Sequence, residues 1–343
     1  MEKRQEDVHE ALCHYFPEGG WQLEHNTTGY SHVTIFVNVP AGSFVLRIYQ
    51  PHGKLYRIKK EHAYLNQLSC VKGLSFTFPK IVPSLKGETL IPLSNGLHAT
   101  LFERIPGSSP DYLNLDHWKS MGIATAEVLK AFGTIKTESI PEITISEMLY
   151  NFYLPLNREN FVKQVKDSVL ADEYSEVMDL MVKEADLVEK ALASAKLPVQ
   201  VIHGDLHSNN YLMFDGKVSG VVDFEFTKPA WRVMDVAAAL CYTGPDSDSV
   251  DYMACVDPFA AGFCEKGELT EEEINVIPLV IKLRYVSLFV ATINWHSREK
   301  TESSLRANKL ILEVGSNVIP WVNESAEKIV QAFTSRMKSR SRE

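Results

Sequence analysis

Residues 203–210 read HGDLHSNN, and a further acid, Asp223, follows in VVDFEF eighteen positions after Asp205. Two histidines, an aspartate and two asparagines between apolar runs are costly beside a core, because a buried polar group needs a hydrogen bond and a buried charge needs a partner. Three uses fit such a cluster: a metal site, a catalytic loop or a polar turn. A loop carboxylate (Asp205), an amide five residues on (Asn210) and a carboxylate across a hairpin (Asp223) can converge on one point. Oxygen ligands of this kind suit a hard cation such as Mg²⁺, which takes few protein ligands and keeps its other positions for water and phosphate. No CxH or HxH companion accompanies His203 or His207, which counts against zinc.

The elements that position these residues follow from periodicity. YSHVTIFVNV (30–39) and SFVLRIYQ (43–50) are β-branched and aromatic runs joined through Pro40-Ala41-Gly42, which predicts a hairpin. In KLYRIKKEHAYLNQL (54–68), Leu55, Ile58, His62, Leu65 and Leu68 share one helical face. ETLIPL (88–93) and LHATLFERI (97–105) flank Ser94-Asn95-Gly96 and predict another hairpin, with Pro92 near an edge. IPGSSPDYLN (105–114) has the composition of a linker. Beyond it the pattern is mainly helical, at 116–132, around 160–195, at 271–295 and at 324–337. Between these lies YLMFDGKVSGVVDF (211–224), two strand-like islands about the turn signal Asp215-Gly216.

A chain of 343 residues exceeds one ordinary core and predicts two lobes. The net charge of -9 argues against nucleic acid as the main partner, since a phosphate backbone attracts basic surfaces. Cys13, Cys70, Cys241, Cys255 and Cys264 are odd in number and form no CxxC pair, so reduced thiols are the expectation. The N-terminus, MEKRQEDVHEALCHYF, is charged and has no apolar signal core. The apolar stretch at 276–295 is interrupted by Pro278, Lys282 and Arg284, which predicts a buried helix rather than a membrane span. A cytoplasmic location without a membrane partner is the resulting expectation. The oligomeric state stays open, and the basic end SRMKSRSRE reads as a solvated helix end.

The order of loop, amide, hairpin and second acid matches phosphoryl transfer in the protein-kinase manner. There a loop aspartate accepts the hydroxyl proton, and an asparagine and a later aspartate hold the metal ions on the nucleotide phosphates. HGDLHSNN followed by VVDFEF resembles the aminoglycoside phosphotransferase and choline kinase superfamily, the phosphotransferase enzyme family, which includes type II homoserine kinases. The resemblance implies an α+β, bilobal, protein-kinase-like fold, with a small β-rich nucleotide-binding lobe over 1–104 and a larger, mainly helical catalytic and acceptor-binding lobe over 105–343. It implies ATP and Mg²⁺ as cofactors, Asp205 as catalytic base, and Asn210 and Asp223 as metal ligands. It also assigns Asp235, in RVMDVAAAL, to bracing the loop by hydrogen bonds. His203 and His207 are expected to support the loop, with direct catalysis the alternative for His203 and a ligand or substrate contact the alternative for His207.

On the nucleotide side, SFVLRIYQ holds Arg47 where many kinases place lysine, and the next helix offers Glu61 as its partner. The departure matters, because arginine is a planar, permanently charged fork and lysine a mobile point charge. The alternative for Arg47 is a surface cross-strand ion pair. The segment 26–32 has one glycine where protein kinases have three. Backbone amides about Gly29 and the Ser31 hydroxyl would touch the β-phosphate, and an ordinary strand-entry turn is the alternative. LFERIPG (101–107) reads as the hinge, with backbone groups of Glu103 to Ile105 on the adenine edge and Gly107 turning the chain onward.

Acceptors in the superfamily range over aminoglycosides, choline, ethanolamine, homoserine, methylthioribose and, in some branches, protein serines, and the fold does not choose among them. Glu225 gives D-F-E as in choline kinase-like members and can face the metal or a cationic acceptor. A salt bridge to Lys228 or Arg232 is its alternative. Tyr150, Phe152, Tyr153, Trp231, Tyr242 and Trp295 lie in segments that can border an acceptor pocket, though their spacing suits a core equally well. The expected partner is a small, amine-bearing hydroxyl compound, with the choice of ATP or GTP left open. A protein Ser/Thr kinase of the same superfamily and a catalytically silent nucleotide-binding scaffold are the rivals. The absence of an A-P-E segment after Asp223 speaks against the first in its eukaryotic form, and the intact Asp205, Asn210 and Asp223 set speaks against the second.

Overall fold

The computed structural model describes residues 2–25, 32–50, 55–137, 139–241 and 252–340. The chain divides into two compact units. The first is Met1–Gly107 together with Ser219–Glu225, and the second is Ser108–Val218 with Phe226–Glu343.

The first unit is an antiparallel sheet with two helices. Its elements are α1 (Glu2–Cys13), β1 (Gln22–His25), β2 (Val33–Val39), β3 (Gly42–Tyr49), α2 (Leu55–Leu68), β4 (Ile81–Val82), β5 (Ile91–Pro92) and β6 (His98–Glu103). The strand order is β1-β2-β3-β6-β4, with β5 also pairing β6. The hairpin through Pro40-Ala41 forms with Val39 opposite Gly42. The second predicted hairpin closes through Leu93 N–H to Leu97 O, with Gly96 at φ 83°, a conformation that costs glycine little.

Alternation along the strands decides which side chains meet the core. Ile35 and Val37, Leu46 and Ile48, and Ala99 and Leu101 pack with Val8, Ala11, Leu12 and Tyr15 from α1 and the residues after it. The period of two puts Arg47 on the opposite face, registered against Thr34 and Thr100. On α2 the buried stripe includes Ile58, Leu65 and Leu68 but also Glu61 and His62. An α1 helix was not among the predicted elements; its low apolar content hides a short stripe of Val8, Ala11 and Leu12.

The second unit is mainly helical. In chain order it contains α3 (Leu115–Phe132), α4 (Ile145–Tyr150), α5 (Arg158–Lys166), α6 (Ser175–Leu192), β7 (Val199–Ile202) and β8 (Tyr211–Phe214). These are followed by β9 (Lys217–Val221), which runs on into the first unit, then β10 (Lys228–Trp231), α7 (Val233–Leu240), α8 (Tyr252–Lys266), α9 (Glu271–Glu299) and α10 (Glu302–Arg340). The turn after β8 has Asp215 at φ 50° and Gly216 at φ 71°, two successive left-handed residues that match the twist of a tight hairpin. Helices α3 and α8 cross with almost no side chain between them. A Cβ on Gly122 would lie 2.1 Å from Phe259 O, and one on Gly262 would lie 2.0 Å from Lys119 O.

Helix α9 is held at its start by a capping box between Thr270 and Glu273 and ends at left-handed Lys300. By length and composition it could cross a membrane, but 78% of its apolar window is buried inside the protein. It passes through Pro278 and packs on α4, α5, α6, α7 and α10. The five cysteines are free thiols, with Cys241, Cys255 and Cys264 buried.

His62 carries a pH dependence. Its ring nitrogens lie 3.2 Å from Thr89 Oγ1 and 3.2 Å from Thr100 Oγ1, and burial depresses its pKa from the ordinary 6.5 to about 4. The unfolded chain therefore takes the proton first. The stability that neutral His62 contributes is complete above pH 6.5 and is lost as pH falls toward 4, a change of up to about 3 kcal/mol. Urea unfolding at pH 7 and pH 4.5 should show a smaller acid loss in His62→Gln than in the wild type. Equal losses would mean that His62 does not titrate in this way.

Candidate functional site

The loop 203–210 leaves the end of β7, which pairs antiparallel with β10. Gly204 has φ 82°, and a Cβ there would lie 2.4 Å from Phe226 O, so both the backbone angle and the space demand glycine. Asp235, near the start of α7, accepts the His203 N–H through Oδ2 at 2.8 Å and the Gly204 N–H through Oδ1 at 2.9 Å. These two amides belong to an irregular stretch that has no ladder to satisfy them, and one carboxylate meets both. Burial pushes Asp235 up to about 7, against the two N–H donors and Arg284, which favour its charge.

His203 is fully buried and accepts the Asp205 N–H at Nδ1 (3.3 Å), and its carbonyl accepts from the Thr227 hydroxyl (3.4 Å). His207 caps the short 3-10 turn Ser208–Asn210, its Nδ1 accepting the Asn209 N–H. Asn210 donates from Nδ2 to the Asp205 carbonyl at 2.7 Å. That bond uses the amide's nitrogen and leaves Oδ1 as its acceptor atom.

Asp205 itself lies at the centre of this framework. Its Oδ1 accepts from Arg284 Nη2 at 2.8 Å, and its Oδ2 lies 3.6 Å from His207 Nε2. Burial alone would raise its pKa, but His207, Arg284 and His203 outweigh burial and hold it below the usual carboxylate value. Arg284 sits on α9 with its side chain 1% exposed and also donates to the Tyr153 hydroxyl, which in turn donates to the Gly204 carbonyl at 3.2 Å. Burial holds the Tyr153 phenol protonated far above its ordinary range.

A second cluster lies in the first unit. Arg47 Nη1 reaches Glu61 Oε1 at 3.4 Å, and Nη2 lies 3.0 Å from Asp223 Oδ1. The Tyr49 hydroxyl donates to Glu61 Oε2 at 3.2 Å. Burial pushes Glu61 up to about 7; Arg47 opposes this, while Asp223 and Glu225 add to it. Arg47 is therefore one fork between two acids, and not a cross-strand surface pair. Asp223 has φ 71°, a left-handed backbone uncommon for a residue with a side chain, and such strain concentrates at sites of function. Its Oδ1 is buried without an aligned hydrogen bond, despite the nearby guanidinium.

Glu225 pairs with His32, Oε2 to Nε2 at 2.8 Å. Because His32 Nδ1 accepts the Gln50 N–H, the ring proton lies on Nε2 and points at the acid. Neither expected alternative partner supplies this contact: Arg232 forks onto Glu273 with two 2.7 Å bonds, and Lys228 donates to the Phe152 carbonyl. The Glu103 and Arg104 N–H groups are bound to Lys80 O and Ser43 O, both at about 2.9–3.0 Å. Two of the backbone N–H groups in the stretch Glu103 to Ile105 are thus already engaged within the first unit. Gly29, Ser31 and Tyr242 lie outside the described residues. Tyr150, Phe152, Tyr153 and Trp231 are buried in the second unit.

Three residues of these clusters were not assigned from the sequence. Arg284 was read only as an interruption of an apolar run, Tyr153 only as one aromatic among several, and His32 only as the end of the segment 26–32. The signal for Arg284 was available: a cation inside an otherwise apolar helix must find a buried acid. No group of three or more His, Cys, Asp or Glu side chains suited to a metal occurs among the described residues. Asn210 in the second unit and Asp223 in the first each carry an oxygen donor of the kind a hard cation takes, an amide oxygen and a carboxylate respectively.

The chain is 22% identical over 273 residues to a homoserine kinase from Methylobacillus glycogenes, covering 79% of each. Among solved structures it is similar to a microcompartment-associated aminopropanol kinase, with a TM-score of 0.64, 18% identity and coverage of 94% of this chain and 98% of that one. It is also similar to an amicoumacin kinase in complex with AMP-PNP, Ca²⁺ and Ami, with a TM-score of 0.63, 15% identity and coverage of 91% and 93%. The fold is thus α+β and protein-kinase-like, with a small sheet-rich unit and a larger helical one. The model of the phosphotransferase enzyme family matches residues 23–271. With that match spanning most of its length, the chain belongs to the phosphotransferase enzyme family and is a phosphotransferase.

Proposed function

We propose that this protein transfers the γ-phosphoryl group of ATP to a hydroxyl of a small, amine-bearing metabolite, with Mg²⁺. The observation that carries the reading is Asp205: an ionised carboxylate on a braced loop, with Oδ1 engaged and Oδ2 turned to His207. In this role Asp205 Oδ2 accepts the hydrogen bond of the acceptor hydroxyl and orients its lone pair for attack. Its low pKa suits a loose transition state, where the proton leaves late and positioning outweighs basicity. Arg47, fixed by Glu61, steadies nucleotide phosphates through its planar fork. Asn210 Oδ1 and the Asp223 carboxylate would hold Mg²⁺, which when bound offsets charge on the phosphates. Glu103 to Ile105 are the proposed adenine contacts, through backbone groups, and Gly29 and Ser31 are proposed to meet the β-phosphate.

An amine-bearing acceptor is supported by two of the similar proteins, a homoserine kinase and an aminopropanol kinase. It is also compatible with the acidic balance of the chain. Glu225, two residues after Asp223 and held by His32, is a proposed contact for a cationic group near the site.

Incubation with ATP and Mg²⁺ against a panel of amino alcohols, hydroxy amino acids, sugars and aminoglycosides should reveal one class of phosphorylated product. Asp205→Asn should keep ATP affinity while kcat falls by about 10²–10⁴-fold, the usual worth of a positioned general base. Failure of the wild type on every acceptor would sink the enzyme reading in favour of a scaffold. Separately, Arg47→Ala should weaken ATP binding in calorimetry by roughly 10–100-fold, as expected for loss of a charge-assisted pair, with part of the affinity recovered in Arg47→Lys. Unchanged affinity would remove Arg47 from the nucleotide site.

A further inference from the structure

We propose that Arg284 is a positioning residue for Asp205, acting on the reaction only through that carboxylate, and that Tyr153 is its brace. The inference rests on the phosphotransfer reading of Asp205 and adds how its geometry is set.

The geometry is a closed ring. Arg284 Nη2 donates to Asp205 Oδ1 at 2.8 Å, Arg284 Nη1 donates to the Tyr153 hydroxyl, and that hydroxyl donates to the Gly204 carbonyl at 3.2 Å. The Gly204 carbonyl belongs to the peptide that leads into Asp205. One guanidinium therefore grips the residue at two points, its carboxylate directly and its preceding peptide through the phenol. Asp235 fixes the other side of the same turn through the His203 and Gly204 amides. With the backbone and one carboxylate oxygen both tied, side-chain rotation of Asp205 is removed, and Oδ2 is the oxygen presented to an acceptor.

A purely stabilising role accounts poorly for this arrangement. Arg284 is 1% exposed within the apolar stretch of α9, where Lys282 is already paired with Glu184, and among the described residues Asp205 is its one ion-pair partner. Its Nε is buried without a well-aligned hydrogen bond, and the guanidinium is held by Asp205 and Tyr153 with the Cys241 thiol beside it. Buried pairs of this kind contribute little net stability, because desolvation offsets the attraction, and an apolar replacement is often tolerated. What a fork with two parallel donors supplies beyond charge is direction.

The test is a double-mutant cycle on MgATP hydrolysis, with water as acceptor, and on any acceptor found in the panel. Arg284→Met alone should lower kcat by about 10–100-fold, the scale of a misplaced reacting group, with KM for ATP within about twofold. In the Asp205→Asn background the same change should cost nothing further, since its route to the reaction is gone. Tyr153→Phe should give a smaller loss that also vanishes in Asp205→Asn, and Arg284→Lys should recover part of the rate. Equal losses in the two backgrounds, or a loss confined to KM for ATP, would overturn the proposal. Should Arg284→Met not fold, Tyr153→Phe and Arg284→Lys complete the cycle. A rate unaffected by Asp205→Asn would instead remove the functional reading beneath it.

Discussion

A carboxylate taken out of water must be met by opposite charge or by N–H donors, and both functional clusters are organised by that requirement. Asp235 meets it with two loop amides, Asp205 with a guanidinium from α9, and Glu61 and Asp223 with a shared one from β3. The pairings are not equally generous. Arg47 serves two acids in one buried space, and the raised pKa of Glu61 reflects the shortfall. Asp205, with Arg284 on one oxygen and His207 near the other, stays ionised. The contrast is one of satisfaction: Asp235 spends both oxygens on loop amides, while Asp223 keeps an oxygen without an aligned hydrogen bond.

Local signals were legible where a backbone angle demanded a particular residue. Pro40-Ala41-Gly42, Asn95-Gly96 and Asp215-Gly216 marked hairpins that formed, because left-handed or fixed φ values admit few residues. Long helices were harder. Only 324–337 was read within α10, which runs Glu302–Arg340, since Gly315 and Pro320 break the helical pattern locally while packing carries the helix through. α8 went unread, and β7 and β10 are four-residue strands whose pairing is remote in sequence.

In the site, the residues within one motif were visible together, while their partners were not. Asp205 and Asn210 are five positions apart, but Arg284 is 79 positions from Asp205 and His32 is 193 from Glu225. No periodicity links such pairs; they meet because folding brings separate elements together. For Glu225 the nearby cations Lys228 and Arg232 were the natural sequence candidates, and tertiary structure gave both to other groups.

The segment Ser219–Glu225 belongs with the first unit, though more than a hundred residues of the second precede it. It is sewn in by Thr77 N–H to Ser219 O at 3.0 Å, by the Ser219 hydroxyl on Pro106 O, and by Gly220 set so closely that a Cβ would lie 2.7 Å from Ile105 Cγ2. During synthesis, chains fold as they emerge, N-terminal parts first. The first unit cannot finish that way, because its last piece leaves the ribosome only with residue 225. Until then the sheet is whole but Arg47 and Glu61 lack Asp223, and that pairing waits for half of the second unit to be made.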